Sequence, residues 1–264
     1  MRKGADIGAD GLIFDLEDAL PDEKKSIGRD NINTVLTDTD FGTKRISVRI
    51  NPVESEYWID DLLALNDVSI DSISVPKIET SNDIRTVVQV LTTVSKNPPT
   101  VGIGLESPQA IFSGHEIAQT CREIPQVTSL GIGVADYARV IGAPEVSNPI
   151  REFLSHLQIA YAAIGNLRTG LPPYFNIGDL DGLRAEAERG RALGFTGMTA
   201  IHPEQVPIIN DVFSPTDEEI EQARMLVNAF ESADKDSIVV DDVFLDTAIV
   251  ERYKTLLDQA SSQK

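Results

Sequence analysis

Six short stretches of this 264-residue chain end in side chains that can do chemistry: DLED (15–18), RIN (49–51), PKIE (76–79), LES (105–107), VADY (134–137) and AIHP (200–203). Each closes an apolar run. Carboxylates at the end of a core strand are costly to desolvate unless they bind something, so Glu17 and Asp18 ask what sits above them. Glu106 and Asp136 come from successive runs. With no neighbouring Cys or paired His, two carboxylates suit a hard, oxygen-preferring cation such as Mg²⁺, which completes its octahedron with water and substrate oxygens. Separate ion pairs to Arg or Lys are the alternative.

Arg49 is a fixed cation inside a strand. Its planar fork suits a substrate carboxylate or the oxygen of an enolate, and equally a structural pair with Glu17 or Asp18. Lys77 and Glu79 are read as pairing with each other. His202, before Pro203, is either a proton carrier or, more ordinarily, a loop-holding side chain. His115 and His156 fall in helical stretches without a chemical role.

These residues need a scaffold that brings their strand ends together. Branched apolar runs recur at Gly11–Leu16, Arg45–Ile50, Ser72–Ile78, Thr100–Leu105, Ser129–Val134 and Gly197–Ile201, with a weaker one at Leu171–Ile177. Each reads as a strand buried on both faces. Helical patterns at 80–96 and 180–195 are long enough for crossovers, so the strands are parallel. In an open sheet only the ends beside the switch point would be functional, whereas a barrel uses them all. The reading is an α/β TIM (β/α)8-type barrel with one polar mouth, seven strands visible and the first apparently missing. Residues 1–10 look like the end of a helix, and the GIG triplets at 102–104 and 131–133 like strand packing positions. The barrel is expected over 1–232, ending in a helix at 214–231 with Ser214 as cap, Pro215 at its first position and Asp217 three residues on. A C-terminal extension, 233–264, reads as a polar linker, a hairpin and an amphipathic helix. It is too small to fold alone and packs on the barrel or a neighbouring subunit.

Acidic residues outnumber basic ones by 42 to 23, a formal charge of −19. Without a basic cluster, nucleic acid and anionic membranes are poor partners. Cys121 is the only cysteine, so no intrachain disulfide forms and a reducing cytoplasm is expected. No run approaches the ~20 apolar residues of a membrane span, and the N-terminus has no apolar targeting segment.

GADGLIFDLEDALPDEK, VRINP, VPKIE, the Glu of GLES, the Asp of GVADYA and GFTGMTAIHPEQVPIINDVFSPTDEEIEQA together resemble the citrate lyase β-subunit-like branch of the HpcH/HpaI aldolase superfamily, which includes malyl-CoA and citramalyl-CoA lyases. The resemblance spans nearly the whole chain. It implies a Mg²⁺-dependent carbon–carbon lyase that cleaves or forms 3-hydroxyacyl-CoA thioesters by retro-Claisen chemistry. An acyl-CoA thioester and a small oxo-acid would be its ligands, and a homotrimer or homohexamer its assembly. Glu106 and Asp136 fall on the family's metal ligands and Arg49 on its substrate-contacting arginine. Glu17 and Asp18 match the acidic pair that orders metal-bound water and that arginine, and Lys77 is placed with the substrate contacts. Asp246 falls on an acid/base aspartate that closes over a neighbouring subunit's site. The chain departs from the family pattern at its opening strand, at Ala135 where a Glu is common, and at PYFN (173–176) after GLP. A malyl-CoA-type thioesterase uses the same metal site, and a non-catalytic subunit of the same fold is the remaining alternative.

Overall fold

The branched apolar runs become parallel strands. In the computed structural model, which describes residues 1–233 and 235–262, β1 (Gly11–Asp15), β2 (Arg45–Arg49), β3 (Ser72–Val75), β4 (Thr100–Leu105) and β5 (Val127–Ile132) pair in chain order. Helices α1 (Lys25–Asp38), α2 (Trp58–Ala64), α3 (Ser81–Val94) and α4 (Pro108–Glu123) lie between successive strands. Side chains fix the helix starts: Thr80 and Asp83 form a reciprocal capping box on α3, and Ser107 caps α4 ahead of Pro108. A short 3₁₀ turn, Arg2–Asp6, precedes β1.

Parallel pairing continues beyond β5. Ser129 bridges to Arg168 and Leu171 to Met198, and Leu171 N donates to Gly197 O at 2.9 Å. Seven parallel segments in chain order make this an α/β barrel of the TIM type. Two of them are displaced from the apolar runs. Val134 opens α5 (Val134–Val140) instead of closing the fifth strand. In the sixth, pairing falls at Arg168 and Leu171 rather than along 171–177, because Pro172 and Pro173 have no N–H to give a ladder. Helices α6 (Asn148–Gly165) and α7 (Leu180–Leu193) flank this segment in sequence.

Leu16, Ile50, Val75 and Leu105 have no solvent exposure. Each lies within two residues of one singled out for chemistry, so the polar strand ends stand on an apolar floor. At Gly190 of α7 a Cβ would lie 2.7 Å from Leu171 Cγ, so this helix packs directly on the sixth segment. Gly190→Ala is expected to lower stability by about 1–3 kcal/mol in chemical denaturation, as overpacking does. An unchanged midpoint would mean that Leu171 rotates aside.

The chain divides into two compact units, Met1–Ile209 and Asn210–Lys264. Following α8 (Val206–Phe213), the second unit holds α9 (Asp217–Ser232), the hairpin strands β6 (Ser237–Val240) and β7 (Val243–Asp246), and α10 (Thr247–Ser262), packed around Leu226, Leu245 and Val250. The hairpin and following helix are those expected. Asp234 of the expected linker and the last two residues lie outside the described residues. The cap of α9 is Thr216, with Glu219 as its reciprocal partner, not Ser214 with Asp217. Ser214 N still donates to Asn210 O, which makes it part of the preceding turn. Among the described residues, no helix is long and apolar enough to cross a membrane.

Candidate active site

The acidic end of β1 is organised around a guanidinium. Arg49, the last residue of β2, donates from Nε to Asp15 Oδ1 at 2.8 Å and from Nη2 to Asp15 Oδ2 at 2.6 Å. Glu17 Oε2 lies 3.0 Å and Asp18 Oδ2 3.8 Å from the same group. Asp15 folds its own loop as well, accepting from Glu17 N and Ala19 N. The structural pairing read for Arg49 is therefore present, and its acidic partners fix the direction of its fork. Its main partner, Asp15, was not among the sequence candidates. Burial acts on Asp15 to raise its pKa, but Arg49's hydrogen bonds and charge prevail and hold the carboxyl below its ordinary value.

Lys77 does not pair with Glu79. Its Nζ lies 2.6 Å from Glu17 Oε1 and 3.8 Å from Asp18 Oδ1, whereas Glu79 accepts from the Ser107 hydroxyl at 2.8 Å. Backbone geometry is the reason: Lys77 has φ +53°, a left-handed turn costing a non-glycine about 1–2 kcal/mol. Ile78 N fixes that turn by donating to Gly104 O at 3.0 Å. Glu17, 4% exposed, is thereby held between two cations. Its pKa is still raised, because burial outweighs both.

Glu106 follows β4 and is 8% exposed. Space for its side chain comes from two glycines. A Cβ at Gly133 would lie 2.7 Å from Glu106 Cγ, and one at Gly104 would lie 2.9 Å from Glu106 Oε1. The glycines of the GIG triplets thus include two that shape the site, the last of each triplet. Burial, then the charges of Glu17 and Asp136, push the Glu106 carboxyl up to about 7. Asp136, in the first turn of α5, accepts from Arg139 Nη2 at 2.8 Å.

Five carboxylates, those of Asp15, Glu17, Asp18, Glu106 and Asp136, therefore share this end of the barrel with Arg49, Lys77 and Arg139. Among them Glu106 is the buried acid that burial first, and its acidic neighbours second, keep above the usual carboxylate range. Among the described residues no group of three or more His, Cys, Asp or Glu is arranged to hold a metal ion. Two carboxylates suffice for Mg²⁺, whose shell is completed by water and ligand oxygens. The Glu106–Asp136 pair fits that requirement.

The remaining candidates have other local partners. His202 Nδ1 accepts from Glu204 N at 3.3 Å and holds the turn after the seventh segment, the ordinary role expected of it. His156 Nδ1 lies 2.7 Å from Glu152 O within α6, and His115 lies in α4. Burial pushes the Cys121 thiol up to about 12, which leaves it inert. Asp246 belongs to the C-terminal unit, where Oδ1 accepts from Ile249 N at 2.9 Å and caps α10. Three polar residues missed in the sequence, Lys25, Asn51 and Asp61, are buried beneath the β1 and β2 ends. Only Asn51, two residues past Arg49 at the β2 end, carried a signal in the sequence.

A family model described as HpcH/HpaI aldolase/citrate lyase matches residues 1–203. The chain is 33% identical over 241 residues to a (3S)-malyl-CoA thioesterase of Cereibacter sphaeroides, covering 89% of this chain and 80% of that protein. It is 28% identical over 292 residues to an L-malyl-CoA/β-methylmalyl-CoA lyase of Rhodobacter capsulatus, covering 100% and 91%. The crystal structure of protein CitE from Mycobacterium tuberculosis, in complex with magnesium, acetoacetate and coenzyme A, superposes with a TM-score of 0.76 at 23% identity, covering 96% of this chain and 90% of that one.

Proposed function

Because the chain belongs to the HpcH/HpaI aldolase/citrate lyase family, we propose that it is a Mg²⁺-dependent carbon–carbon lyase acting on a 3-hydroxyacyl-CoA thioester of the malyl-CoA, citramalyl-CoA or citryl-CoA type. The observation that carries the reading is Glu106, buried between two glycines beside Asp136 with its carboxyl pushed up to about 7. Relatives that act on malyl-CoA and a structural neighbour with magnesium and coenzyme A bound support it.

Glu106 and Asp136 would hold the Mg²⁺, which when bound supplies positive charge to the oxygen of the hydroxy- or oxo-acid. Arg49, aimed by Asp15 and Glu17, faces the negative charge that develops as the bond breaks. Lys77 keeps Glu17 in place and adds a second cation for the substrate's carboxylate or thioester oxygen. In the cleavage direction the substrate hydroxyl gives up its proton to Asp246, and the bond between the carbinol carbon and its neighbour breaks. The bond's electron pair leaves with the acetyl-CoA or propionyl-CoA enolate, the carbinol carbon becomes the carbonyl of the oxo-acid, and the enolate carbon takes the proton back from Asp246.

Asp246 would serve a neighbouring subunit's mouth in a homotrimer or homohexamer, with 1–232 as the catalytic barrel and 233–264 as the closing segment. On the hairpin, Val239 pairs with Phe244 and Ser237 with Asp246, so these four share one face. Val239 and Phe244 are 66% and 52% exposed. An acid beside an unpaired apolar pair suits docking on a second copy.

One observation favours a second reading: the thioesterase relative is more similar, at 33% identity, than the lyase at 28%. Hydrolysis would use the same cation and Arg49 but release free CoA. The test is to incubate the protein with malyl-CoA, β-methylmalyl-CoA, citramalyl-CoA and citryl-CoA, with Mg²⁺ and then with EDTA, and weigh the CoA products. Magnesium-dependent acetyl-CoA or propionyl-CoA is the expected outcome. Free CoA would replace the lyase with the thioesterase, and no product from any thioester would sink both.

A further inference from the structure

Lys25, the first residue of α1, is 5% exposed and has no carboxylate partner among the described residues. Its Nζ donates instead to two successive carbonyls, Leu16 O at 2.9 Å and Glu17 O at 2.7 Å. The Tyr57 ring centroid lies 6.0 Å from the same Nζ. A buried ammonium without a carboxylate is expensive, so its location calls for a reason. The β1–β2 ladder stops at Asp15 and Arg49, with Leu16 N donating to Arg49 O as its last bond. Immediately beyond, Ile50 N turns to Ser74 O of β3 at 3.0 Å, and side chains take the Leu16 carbonyl.

Asn51, 2% exposed, donates from Nδ2 both to Leu16 O at 3.1 Å and to Asp61 Oδ2 at 2.7 Å. Asp61, fully buried, also accepts from Asn51 N at 2.8 Å and from Arg29 Nε at 2.8 Å. Arg29 Nη2 donates onward to Tyr57 O at 3.3 Å. Because Lys25 and Arg29 lie one turn apart on α1, that helix grips the β1 loop at one point and α2 at the other. The ends of β1 and β2 are clamped from below.

We propose that Lys25 is a positioning residue for the reaction suggested above: by holding the Leu16 and Glu17 carbonyls it sets the direction of the Glu17 carboxylate, and through Glu17 the orientation of Arg49 and Lys77. This rests on that reading of the mouth. Lys25 touches no substrate. Its effect reaches the chemistry through one peptide unit, since the carbonyl it binds belongs to the residue whose side chain holds both cations.

The test compares wild type with Lys25→Met, which keeps the side-chain length and removes the donors, and Lys25→Gln, which keeps one donor group. In Lys25→Met, kcat is expected to fall about 100-fold with KM nearly unchanged, the scale of a misplacement of about 1 Å at a reacting centre. Lys25→Gln should lie between. Amide exchange at residues 16–20 should quicken while the ends of β3, β4 and β5 keep their protection. Mn²⁺ affinity should hold, because Glu106 and Asp136 are carried by other elements. A folded Lys25→Met with kcat within about twofold of wild type, far short of that 100-fold, would overturn the proposal. Exchange quickened evenly over the barrel, or failure of both variants to fold, would do so too, by making Lys25 an ordinary core residue. If wild type turns over no thioester, the reaction is wrong, and the exchange pattern still decides whether Lys25 fixes the Glu17 loop.

Discussion

Glu106→Gln is expected to abolish turnover and, in EDTA, to make the protein more stable. The two effects have one cause. In the folded chain the Glu106 carboxyl is pushed up to about 7 by burial and by the charges of Glu17 and Asp136, against an ordinary value of 4.5. Between those values the folded state binds more protons than the unfolded state, so stability falls as pH rises through the window 4.5 to 7. The contribution is fully favourable below 4.5 and lost above 7. A difference of about 2.5 pKa units corresponds to about 3 kcal/mol, and glutamine removes it. Denaturation at pH 8 in EDTA should therefore favour Glu106→Gln by up to about 3 kcal/mol, with the gap closing towards pH 4. Added Mg²⁺ should narrow the gap by stabilising wild type alone. Turnover in Glu106→Gln and in Asp136→Asn should fall at least about 100-fold, the scale of losing one preorganised electrostatic contact. Unchanged activity in either would remove that residue from the metal site.

The second large effect concerns Asp246, whose proposed chemistry must be separated from the cap it provides to α10. Asn caps a helix about as well as Asp but cannot carry a proton as a carboxylate does. Asp246→Asn should leave the C-terminal unit intact and lower kcat by about 10²–10⁴, the range for a general acid–base group, with KM little changed. If the aspartate serves a neighbouring subunit, mixing Asp246→Asn with Glu106→Gln after subunit exchange should rebuild intact sites. With random assortment about a quarter of them recover, since each needs one unaltered contribution from either side of the interface. Full activity of Asp246→Asn would reduce the residue to its cap. Loss without recovery on mixing would contradict the shared site.

Much of the scaffold was legible because buried parallel strands leave branched apolar runs. The run at Thr100–Leu105 became β4 without adjustment, and the charged strand ends pointed to the residues that now surround Arg49 and Glu106. What escaped has identifiable causes. The sixth strand was placed too late, because apolar residues around Pro172 and Pro173 resemble a strand that prolines cannot form. Overlapping cap signatures at Ser214–Asp217 and Thr216–Glu219 were resolved by the preceding turn, which claims Ser214.

Asp15 was passed over because Leu16 and Glu17 after it drew the strand end one residue onward. The Lys77 pairing was missed because a left-handed lysine after a proline leaves no mark in the sequence. Lys25 and Asp61 look like solvated charges on helices, and only packing shows that they are buried. In each case the missing information was a backbone direction or a burial set by elements distant in sequence.

The proposed chemistry depends most on Glu106 and Asp136 holding a divalent cation, and the most direct measurement is a Mn²⁺ titration followed by electron paramagnetic resonance on wild type, Glu106→Gln and Asp136→Asn. One saturable Mn²⁺ per chain in wild type, displaced by Mg²⁺ and lost in both variants, is the predicted result. Equal Mn²⁺ binding by all three proteins, or none by wild type, would contradict it.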